Sequence, residues 1–266
     1  MGTLVCDFDG TLCFDGHTVA DDVVAALVSV AARHDVVIAS ARPPRDLLPV
    51  LPEQLRDIDL VGGNGALWRR AGVVDCLHFP EETRAALQDV IARRGTPVLV
   101  DGSWDFAYTG DGTHLVYSRV NRVDAQQVDM DDLEAWSKVL FFADDDALVA
   151  ELSALDVVVN VHRSEGTLDV SPGSVDKATG LLRLWEGPRD FVAMGNDAND
   201  QSLFEVANWS WCVGDHEAGE WASDRVSPAD VAATVLRAGE LLDADLDVTA
   251  LFGDDDFEVV TTSAQF

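Results

Sequence analysis

The chain has 266 residues, of which 47% are hydrophobic and 25% are charged, and its formal net charge at pH 7 is −30. This composition indicates a globular protein that can bury more than one hydrophobic core. The negative charge argues against a nucleic acid partner, because a phosphate backbone must be met by clustered lysine and arginine. No apolar run approaches the roughly 20 residues of a membrane span, and the first residues lead into a strand without a signal peptide, which predicts a cytoplasmic protein.

Residues 1–78 are predicted to form the first part of an α/β core, because short apolar runs alternate with amphipathic helical patterns. A glycine-rich turn at 62–66 then leads into a hairpin. The predicted elements are strands at Thr3–Cys6, Val36–Ala39 and Leu60–Val61, and helices at Ala20–Arg33 and Arg45–Leu55.

Residues 79–167 are predicted to form an inserted cap domain, because two α/β passes with hairpins indicate an independent mixed sheet of the kind that covers a site. The predicted helices are Pro80–Arg94, Asp132–Lys138 and Asp145–Leu155. The predicted strands are Pro97–Val100, Asp105–Tyr108, His114–Arg119, Val139–Ala143 and Val157–His162, the last of them paired with Thr167–Val170.

Residues 168–266 are predicted to complete the core and to end in an acidic tail. The predicted elements are helix Asp176–Leu184, strand Phe191–Ala193, helix Asp200–Val206, strand Trp209–Val213 and helix Pro228–Leu242. The segment after about Asp243 is acidic and ends in Val259-Val260-Thr261-Thr262; it is predicted to form either a final strand or a loose tail. The predicted fold class is therefore α/β, with a doubly wound, mostly parallel Rossmann-like core and an inserted α+β cap domain.

Four short polar motifs follow one another along the chain, and three of them come directly after apolar, strand-like runs. Loops that follow parallel strands meet beyond the carboxyl edge of the sheet, where α/β proteins bind ligands. We therefore expect these motifs to share one site. They are Asp7-Phe8-Asp9-Gly10-Thr11-Leu12, Ser40-Ala41-Arg42, Lys177 and Gly195-Asn196-Asp197-Ala198-Asn199-Asp200.

The residue types in these motifs suit magnesium-dependent phosphoryl transfer. Asp7 can attack phosphorus, and Asp9 can protonate the leaving oxygen and then take a proton from water. Magnesium prefers oxygen ligands, which Asp7, the Asp9 carbonyl and the 196–200 loop can supply. Lys177, one of only two lysines in the chain, and Arg42 would offset the charge of the phosphate. Taken singly, each motif is an ordinary turn, strand end or solvated helix residue, and their joint order is what favours a site.

These motifs make the chain resemble the haloacid dehalogenase-like superfamily. The similarity is to the branch of sugar-phosphate phosphatases with a large cap inserted after the second motif, such as the Cof-like phosphatases, and it extends over nearly the whole chain. Further segments that carry it are Ala39-Ser40-Ala41-Arg42-Pro43, Asn64-Gly65-Ala66 and Leu168-Asp169-Val170-Ser171-Pro172.

The resemblance implies roles for individual residues and Mg²⁺ as the cofactor. Asp7 would be the nucleophile, and Asp9 would be the general acid and base. The residues that bind the substrate phosphate would be Ser40, Ala41, Arg42, Lys177 and Asn199. The magnesium ligands would be Asp7, Asp9, Asn196 and Asp200.

Two positions depart from the pattern of that branch. Asn196 stands where aspartate is usual, so magnesium would meet a neutral amide oxygen and bind less tightly, unless Asp197 or Asp200 makes the contact. Ala41 stands where glycine is common and narrows the space beside the phosphate. Neither change removes a group that the reaction needs.

Three functions remain open from the sequence. The first is a phosphatase that hydrolyses a small sugar or polyol phosphate through an aspartyl-phosphate intermediate. The second is a sugar phosphotransferase or phosphomutase, and the third is a non-catalytic sugar-phosphate-binding relative, which Asn196 makes conceivable. In each case the partner is a small phosphate ester, and the protein is a monomer or a homodimer. Cap residues would select the leaving group; Trp104, Arg119, Arg163 and Glu165 are candidates, although ordinary surface or hairpin packing explains each of them better.

The acidic residues are spread along the chain, which indicates a solvated acidic surface. A protein rich in aspartate and poor in lysine suggests a salty cytoplasm, because salt screens the repulsion among like charges. On this halophile hypothesis, enzyme activity and Tm should rise markedly when KCl is increased to the molar range. Phosphate release and thermal unfolding measure the two responses, and a flat dependence on KCl would contradict the hypothesis.

Overall fold

The computed structural model describes residues 1–163 and 165–246, which form two β-sheets with helices packed against them. The first stretch supplies five strands and two helices. They are β1 (Thr3–Cys6), α1 (Asp21–Ala31), β2 (Asp35–Ala39), α2 (Pro44–Leu47), β3 (Asp59–Gly62), β4 (Leu67–Arg70) and β5 (Val73–Cys76), with 3₁₀ turns at Glu53–Leu55 and Gly63–Gly65.

The middle and last stretches supply the remaining described elements. Those of the middle stretch are α3 (Glu81–Arg94), β6 (Val98–Asp101), β7 (Phe106–Tyr108), α4 (Leu115–Ser118), β8 (Lys138–Phe141), α5 (Asp146–Leu152), β9 (Val157–His162) and β10 (Thr167–Pro172). Those of the last stretch are α6 (Lys177–Trp185), β11 (Val192–Gly195), α7 (Gln201–Val206), β12 (Trp209–Val213), β13 (Asp224–Val226) and α8 (Val231–Asp243), with 3₁₀ turns at Ala198–Asp200, Glu217–Glu220 and Pro228–Asp230.

The larger sheet has the strand order β13-β12-β11-β1-β2-β3-β4-β5 and is parallel from β13 to β3. The hairpin strands β4 and β5 extend its edge in the antiparallel sense. Side chains of β1 alternate between two hydrophobic clusters: Leu4 and Cys6 pack with α1 and α8, and Val5 packs with α6 and α7. Because helices cover both faces, all of β1 is buried, as is usual for a parallel sheet. The predicted doubly wound α/β core is confirmed.

The smaller sheet has the order β7-β6-β8-β10-β9 and is antiparallel throughout. Helices α3 and α5 pack on one of its faces. This sheet is the inserted cap. Strand β10 belongs to it and pairs with β8 and with β9, the second pairing as predicted for Thr167–Val170, so residues 168–172 lie in the cap sheet although the predicted domain boundary placed them in the core. The reason is that Leu168 and Val170 bury their side chains in the hydrophobic cluster of the cap.

The predicted strand His114–Arg119 is wrong, because these residues form helix α4. His114 caps this helix: its ring Nδ1 accepts a hydrogen bond from the N–H of Val116 at 3.1 Å. Such a cap satisfies an N–H group that has no partner in the first helical turn. The predicted helix Arg45–Leu55 is also wrong in extent, since α2 ends before Pro52 and a separate 3₁₀ turn follows it.

The predicted helix Asp132–Lys138 is wrong as well. Ser137 donates its N–H to the carbonyl of Asp101 and its hydroxyl to the carbonyl of Gly102, both at 2.8 Å. These hydrogen bonds lay the segment alongside β6, so strand β8 follows directly. Long-range partners therefore override the local helical pattern.

Strand β13 was not predicted, because only three residues form it and they show no apolar alternation. Residues 259–262, predicted as a strand or a tail, lie outside the residues that the structure describes. Within 1–163 and 165–246, no helix is both long and apolar enough to cross a lipid bilayer.

Candidate active site

The loops that follow β1, β2 and β11 lie next to one another at the carboxyl edge of the larger sheet. Strand β1 pairs with β2 on one side and with β11 on the other, which brings Cys6 into register with Ile38 and Met194. Asp7 follows directly, and its N–H donates to the carbonyl of Met194 at 2.8 Å. The strand order thus gathers the motifs that are far apart in the sequence.

Lys177 lies at the centre of this group and is completely buried. It begins α6 directly after the N-cap residue Asp176. Its Nζ donates to Asp200 Oδ1 at 2.6 Å, to Asp7 Oδ1 at 2.7 Å and to Asn199 Oδ1 at 3.3 Å. The three hydrogens of the ammonium group therefore have three oxygen acceptors, which hold the side chain in one orientation.

These buried charges shift one another's pKa. Burial raises the pKa of Asp7 to about 7; the ammonium of Lys177 opposes this shift, and the charge of Asp200 adds to it. Burial alone would lower the pKa of Lys177, but the two carboxylates outweigh it and hold that pKa above its usual range. Lys177 therefore stays charged at neutral pH, and it is the cation that favours the ionised, nucleophilic form of Asp7.

Asp200 organises the loop between β11 and α7. Its Oδ2 accepts the N–H of Asn196 at 2.8 Å and the N–H of Asp197 at 3.1 Å, while its Oδ1 faces Lys177. The carboxylate is fully buried and both of its oxygens accept hydrogen bonds; its role as a metal ligand stays a prediction. Oδ1 of Asp197 lies 3.2 Å from the ring Nε2 of His216, and Asp197 also borders the cavity.

The side-chain amide of Asn196 meets three oxygen atoms. One of its terminal atoms lies 3.0 Å from Asp7 Oδ2, 2.9 Å from the carbonyl of Asp9 and 3.1 Å from Thr11 Oγ1. With nitrogen at this place the amide donates to all three; with oxygen there it accepts from Thr11 alone and faces two other oxygens. Gly10 permits this approach, because its φ is +81° and a Cβ would collide with Asn196.

The oxygens around Asn196 suit a hard cation. Over the described part of the chain, no group of three or more His, Cys, Asp and Glu side chains could hold a metal ion. The donors here are of a different kind: one carboxylate, one main-chain carbonyl and one amide. Magnesium commonly binds proteins through one or two carboxylates and keeps several waters. The chemistry of Asp7, the Asp9 carbonyl and the Asn196 amide oxygen therefore fits Mg²⁺.

The carboxylate of Asp9 is held by Arg42 in a two-point ion pair. Nε of Arg42 donates to Oδ2 at 2.7 Å, and Nη2 donates to Oδ1 at 2.5 Å. The guanidinium predicted to bind phosphate thus contacts the predicted proton shuttle. The N–H of Arg42 also donates to the buried Ser40 hydroxyl at 3.1 Å. Ala41 contributes its carbonyl, which accepts a hydrogen bond from Nζ of Lys138 in the cap at 2.7 Å.

The cap closes a cavity of about 410 Å³ over these residues, a size that suits a small molecule. Strand alternation decides which cap residues face it. On β8, Val139 and Phe141 pack into the cap core, whereas Lys138 and Leu140 border the cavity. The cap residues that line the cavity are Leu99, Asp101, Val116, Arg119, Val120, Lys138, Leu140, His162, Glu165 and Asp169.

Two of the four cap residues considered from the sequence reach the cavity. Arg119 and Glu165 line it and pair with each other at 2.9 Å. Arg163 pairs instead with Asp146 at the surface. Trp104 donates its ring N–H to a carbonyl of a neighbouring cap loop. Neither Arg163 nor Trp104 borders the cavity, in agreement with the packing explanation.

Sequence reasoning assigned no role to three residues at the junction of cap and core. Nζ of Lys138 lies 2.8 Å from Oδ2 of Asp169, and Nδ2 of Asn64 donates to the same oxygen at 3.1 Å. Two signals could have found Lys138 and Asp169. The scarcity of lysine that distinguishes Lys177 applies equally to Lys138, and Asp169 is a charged residue between two buried aliphatic ones.

A family model described as haloacid dehalogenase-like hydrolase matches residues 4–219 of this chain. The chain belongs to this family. The match includes the β1 loop, the whole cap, Lys177 and the 195–200 loop, so this haloacid dehalogenase-like hydrolase is an enzyme by family, as the motifs predict. A curated relative, the phosphoglycolate phosphatase of Natronomonas pharaonis, is 29% identical over 163 residues, which cover 56% of this chain and 71% of the relative.

Solved structures share the fold of this haloacid dehalogenase-like hydrolase. A haloacid dehalogenase-like hydrolase from Bacteroides thetaiotaomicron has a TM-score of 0.74 at 19% identity, covering 89% of this chain and 98% of that one. A structure described as a subclass IIB sugar phosphatase has a TM-score of 0.72 at 16% identity, covering 92% of this chain and 100% of that one. The coverage includes both sheets, so the core with its inserted cap is a shared architecture.

Proposed function

We propose that this haloacid dehalogenase-like hydrolase is a magnesium-dependent phosphatase that hydrolyses a small sugar or polyol phosphate monoester through an aspartyl phosphate on Asp7. One observation carries the proposal. Asp7 has one oxygen on the buried ammonium of Lys177 and the other beside the Asp9 carbonyl and the Asn196 amide, and it borders the cavity. The names of similar proteins, a phosphoglycolate phosphatase and a sugar phosphatase, support it.

The chemistry requires a nucleophile and a proton shuttle. Asp7 would attack phosphorus with a carboxylate oxygen, and the bond between phosphorus and the leaving oxygen would break. Asp9 would give its proton to that oxygen and then take one from the water that attacks the aspartyl phosphate, which releases inorganic phosphate and restores Asp7. Each oxygen of Asp9 accepts one hydrogen bond from Arg42, which leaves a second lone pair on each oxygen for the transferred proton.

The phosphate is expected to bind where Ser40, Asn199 and Asp7 border the cavity. The Ser40 hydroxyl and the Asn199 amide can donate hydrogen bonds to phosphate oxygens, and Lys177 supplies positive charge beneath them. Magnesium, held by the oxygens around Asn196, would supply the remaining positive charge that offsets the transferring group. These cations matter because the whole chain carries a net charge of −30.

The cap side of the cavity suits a leaving group with several hydroxyls. It presents donors on Arg119 and acceptors on Glu165 and Asp169, and His162 can serve as either. A leaving group with its own carboxylate would meet the acidic residues that line the cavity. Glycolate is nevertheless a second candidate leaving group, because the curated relative is named a phosphoglycolate phosphatase.

The proposal is tested by incubating the protein with p-nitrophenyl phosphate and Mg²⁺. We expect release of p-nitrophenol that stops when EDTA removes the metal; absence of release with Mg²⁺ would contradict a phosphatase. A panel of trehalose 6-phosphate, hexose phosphates, glycosylglycerate phosphates and 2-phosphoglycolate then identifies the substrate class. Isomer formation from a bisphosphorylated hexose would indicate a phosphomutase instead.

Asn196→Asp should tighten magnesium binding, because a carboxylate replaces a neutral amide oxygen in the metal site. We expect Kd for Mg²⁺ to fall on the order of tenfold, as measured by isothermal titration calorimetry without substrate. Asp197→Asn tests the neighbouring carboxylate, which borders the cavity 3.2 Å from His216; if Asn196 is the direct ligand, the Kd should change less in this variant than in Asn196→Asp. An unchanged Kd in Asn196→Asp would show that this side chain is not a direct ligand.

A further inference from the structure

A directed chain of hydrogen bonds runs from the buried ammonium of Lys177 to the cap. Nζ of Lys177 donates to Asn199 Oδ1 at 3.3 Å, and Nδ2 of Asn199 donates to Asn64 Oδ1 at 3.1 Å. Nδ2 of Asn64 then donates to Asp169 Oδ2 at 3.1 Å. Every donor points toward the cap, so each bond polarises the next in the same sense.

The two ends of this chain determine the orientation of both amides. Lys177 can only donate, and the carboxylate of Asp169 accepts. Turning either amide would place two acceptors or two donors face to face, which is unfavourable where water cannot intervene. Water is largely excluded at three of the four residues, since Asn64 is 2% exposed, Asp169 is 1% exposed and Lys177 is fully buried, whereas Asn199 is partly exposed.

The backbone places Asn64 between the core site and the cap. Its φ is +54°, in the left-handed region that asparagine tolerates better than most residues. Gly65 packs against the carbonyl of Asp176 so closely that a Cβ would collide with it. The turn is therefore pressed against the start of α6, next to Lys177. Asn64 itself does not border the cavity, whereas Asn199 does.

We propose that Asn64 is a positioning residue through which closure of the cap orients the Asn199 amide in the phosphate site. With the cap closed, Asp169 anchors Asn64, and Asn64 holds the amide of Asn199 in the orientation that also accepts Lys177. When the cap lifts, Asp169 leaves with β10 and Asn64 loses its acceptor. The phosphate site is then complete only under a closed cap. The inference rests on the proposed function, in which Asn199 and Lys177 bind phosphate.

Inorganic phosphate is the probe for this coupling, because it fits the phosphate site but has no leaving group to touch the cap. Asn64→Gly removes the link while glycine keeps the positive φ of the turn. Asp169→Asn alters the far end of this hydrogen-bonded series and also removes the ion pair of Asp169 with Lys138. We expect each variant to weaken phosphate binding in the presence of Mg²⁺ by about 3- to 10-fold, the loss typical of one hydrogen bond, as measured by isothermal titration calorimetry.

The double variant Asn64→Gly/Asp169→Asn shows whether Asp169 acts on the phosphate site through Asn64 or whether the two substitutions weaken phosphate binding separately. If both substitutions act through the same series of hydrogen bonds, the double variant should bind phosphate no more weakly than the single variant with the lower affinity. If they act independently, the two losses of affinity should multiply. Ser171→Ala is the matched control. It removes a hydrogen bond between cap and core, from the Ser171 hydroxyl to the Gly63 carbonyl, that is not part of the series from Lys177 to Asp169. It should change phosphate affinity by no more than about twofold.

Two results would overturn the inference: multiplicative losses in the double variant, or wild-type phosphate affinity in an Asn64→Gly protein that unfolds at the normal Tm. Failure of the wild type to release p-nitrophenol would contradict the proposed function alone. The two failures are distinguishable because phosphate binding is measured without turnover.

Discussion

Asp7→Asn is expected to slow p-nitrophenol release by at least about a thousandfold, with the fold intact. The amide keeps the shape of the side chain but cannot attack phosphorus. Initial rates with saturating Mg²⁺ measure the loss, and circular dichroism checks the fold. Asp57 is exposed on the surface of the α/β core domain. Asp57→Asn removes the same charge there and should leave the rate unchanged. Residual activity of more than a few per cent would show that Asp7 is not the nucleophile.

The same variant should have a higher Tm than the wild type without metal. Burial raises the pKa of Asp7 from 3.8 to about 7, so the folded protein binds this proton more tightly than the unfolded chain does. Stability therefore falls as the pH rises through that interval, and the ionised carboxylate destabilises the fold above it. The amide does not titrate, so the gain in Tm should be present at about pH 8 and shrink toward pH 4. Thermal unfolding in EDTA measures it; a lower Tm than the wild type at the higher pH would contradict it.

Lys177→Met is expected to lower the free energy of unfolding by about 3–5 kcal/mol and to remove most of the turnover. The substitution leaves Asp7 and Asp200 buried without the cation that they share at 2.7 and 2.6 Å. Methionine fills much of the space of the lysine stem, so the loss reports the missing charge more than a cavity. Urea denaturation and initial rates measure the two effects.

Two comparisons identify the cause of that loss. Lys177→Met/Asp200→Asn should recover part of the stability, because one stranded charge is gone, but none of the activity. Arg93→Met breaks an exposed ion pair with Glu151 and should lower the free energy of unfolding by no more than about 1 kcal/mol. Wild-type stability in Lys177→Met would contradict the buried ion-pair network.

Most of the fold could be predicted from local patterns. Strands β1, β9 and β12 have the predicted bounds, because short apolar runs between turn residues are a strong signal, even in β9, whose residues are only partly buried or exposed. The two elements predicted with the wrong type, at His114–Arg119 and Asp132–Lys138, lie in the cap, where partners distant in sequence decide the structure: hydrogen bonds of Ser137 to the β6 end replaced a predicted helix with an extended segment. In the core, one predicted helix was too long and the short strand β13 was missed.

The residues that form the site could be predicted, but not the hydrogen bonds and ion pairs that their side chains make with one another. The motifs place Asp7, Lys177 and the 195–200 loop together, because β1 lies between β2 and β11. Nothing in the motifs indicates that Asp200 is occupied by Lys177 and two loop N–H groups, or that Arg42 holds Asp9. These contacts depend on which oxygen of each carboxylate faces which donor.

By itself, the sequence determined the family, the acidic character of the protein and the order in which the motif-bearing loops follow the core strands. It could do so because apolar periodicity and motif order are local properties of the chain. Only the tertiary structure decided that Asn64, Lys138 and Asp169 meet at the junction of cap and core. Their proximity depends on the register of β8 and β10 and on how the cap rests on the core, and elements so far apart in sequence carry no local signal of that contact.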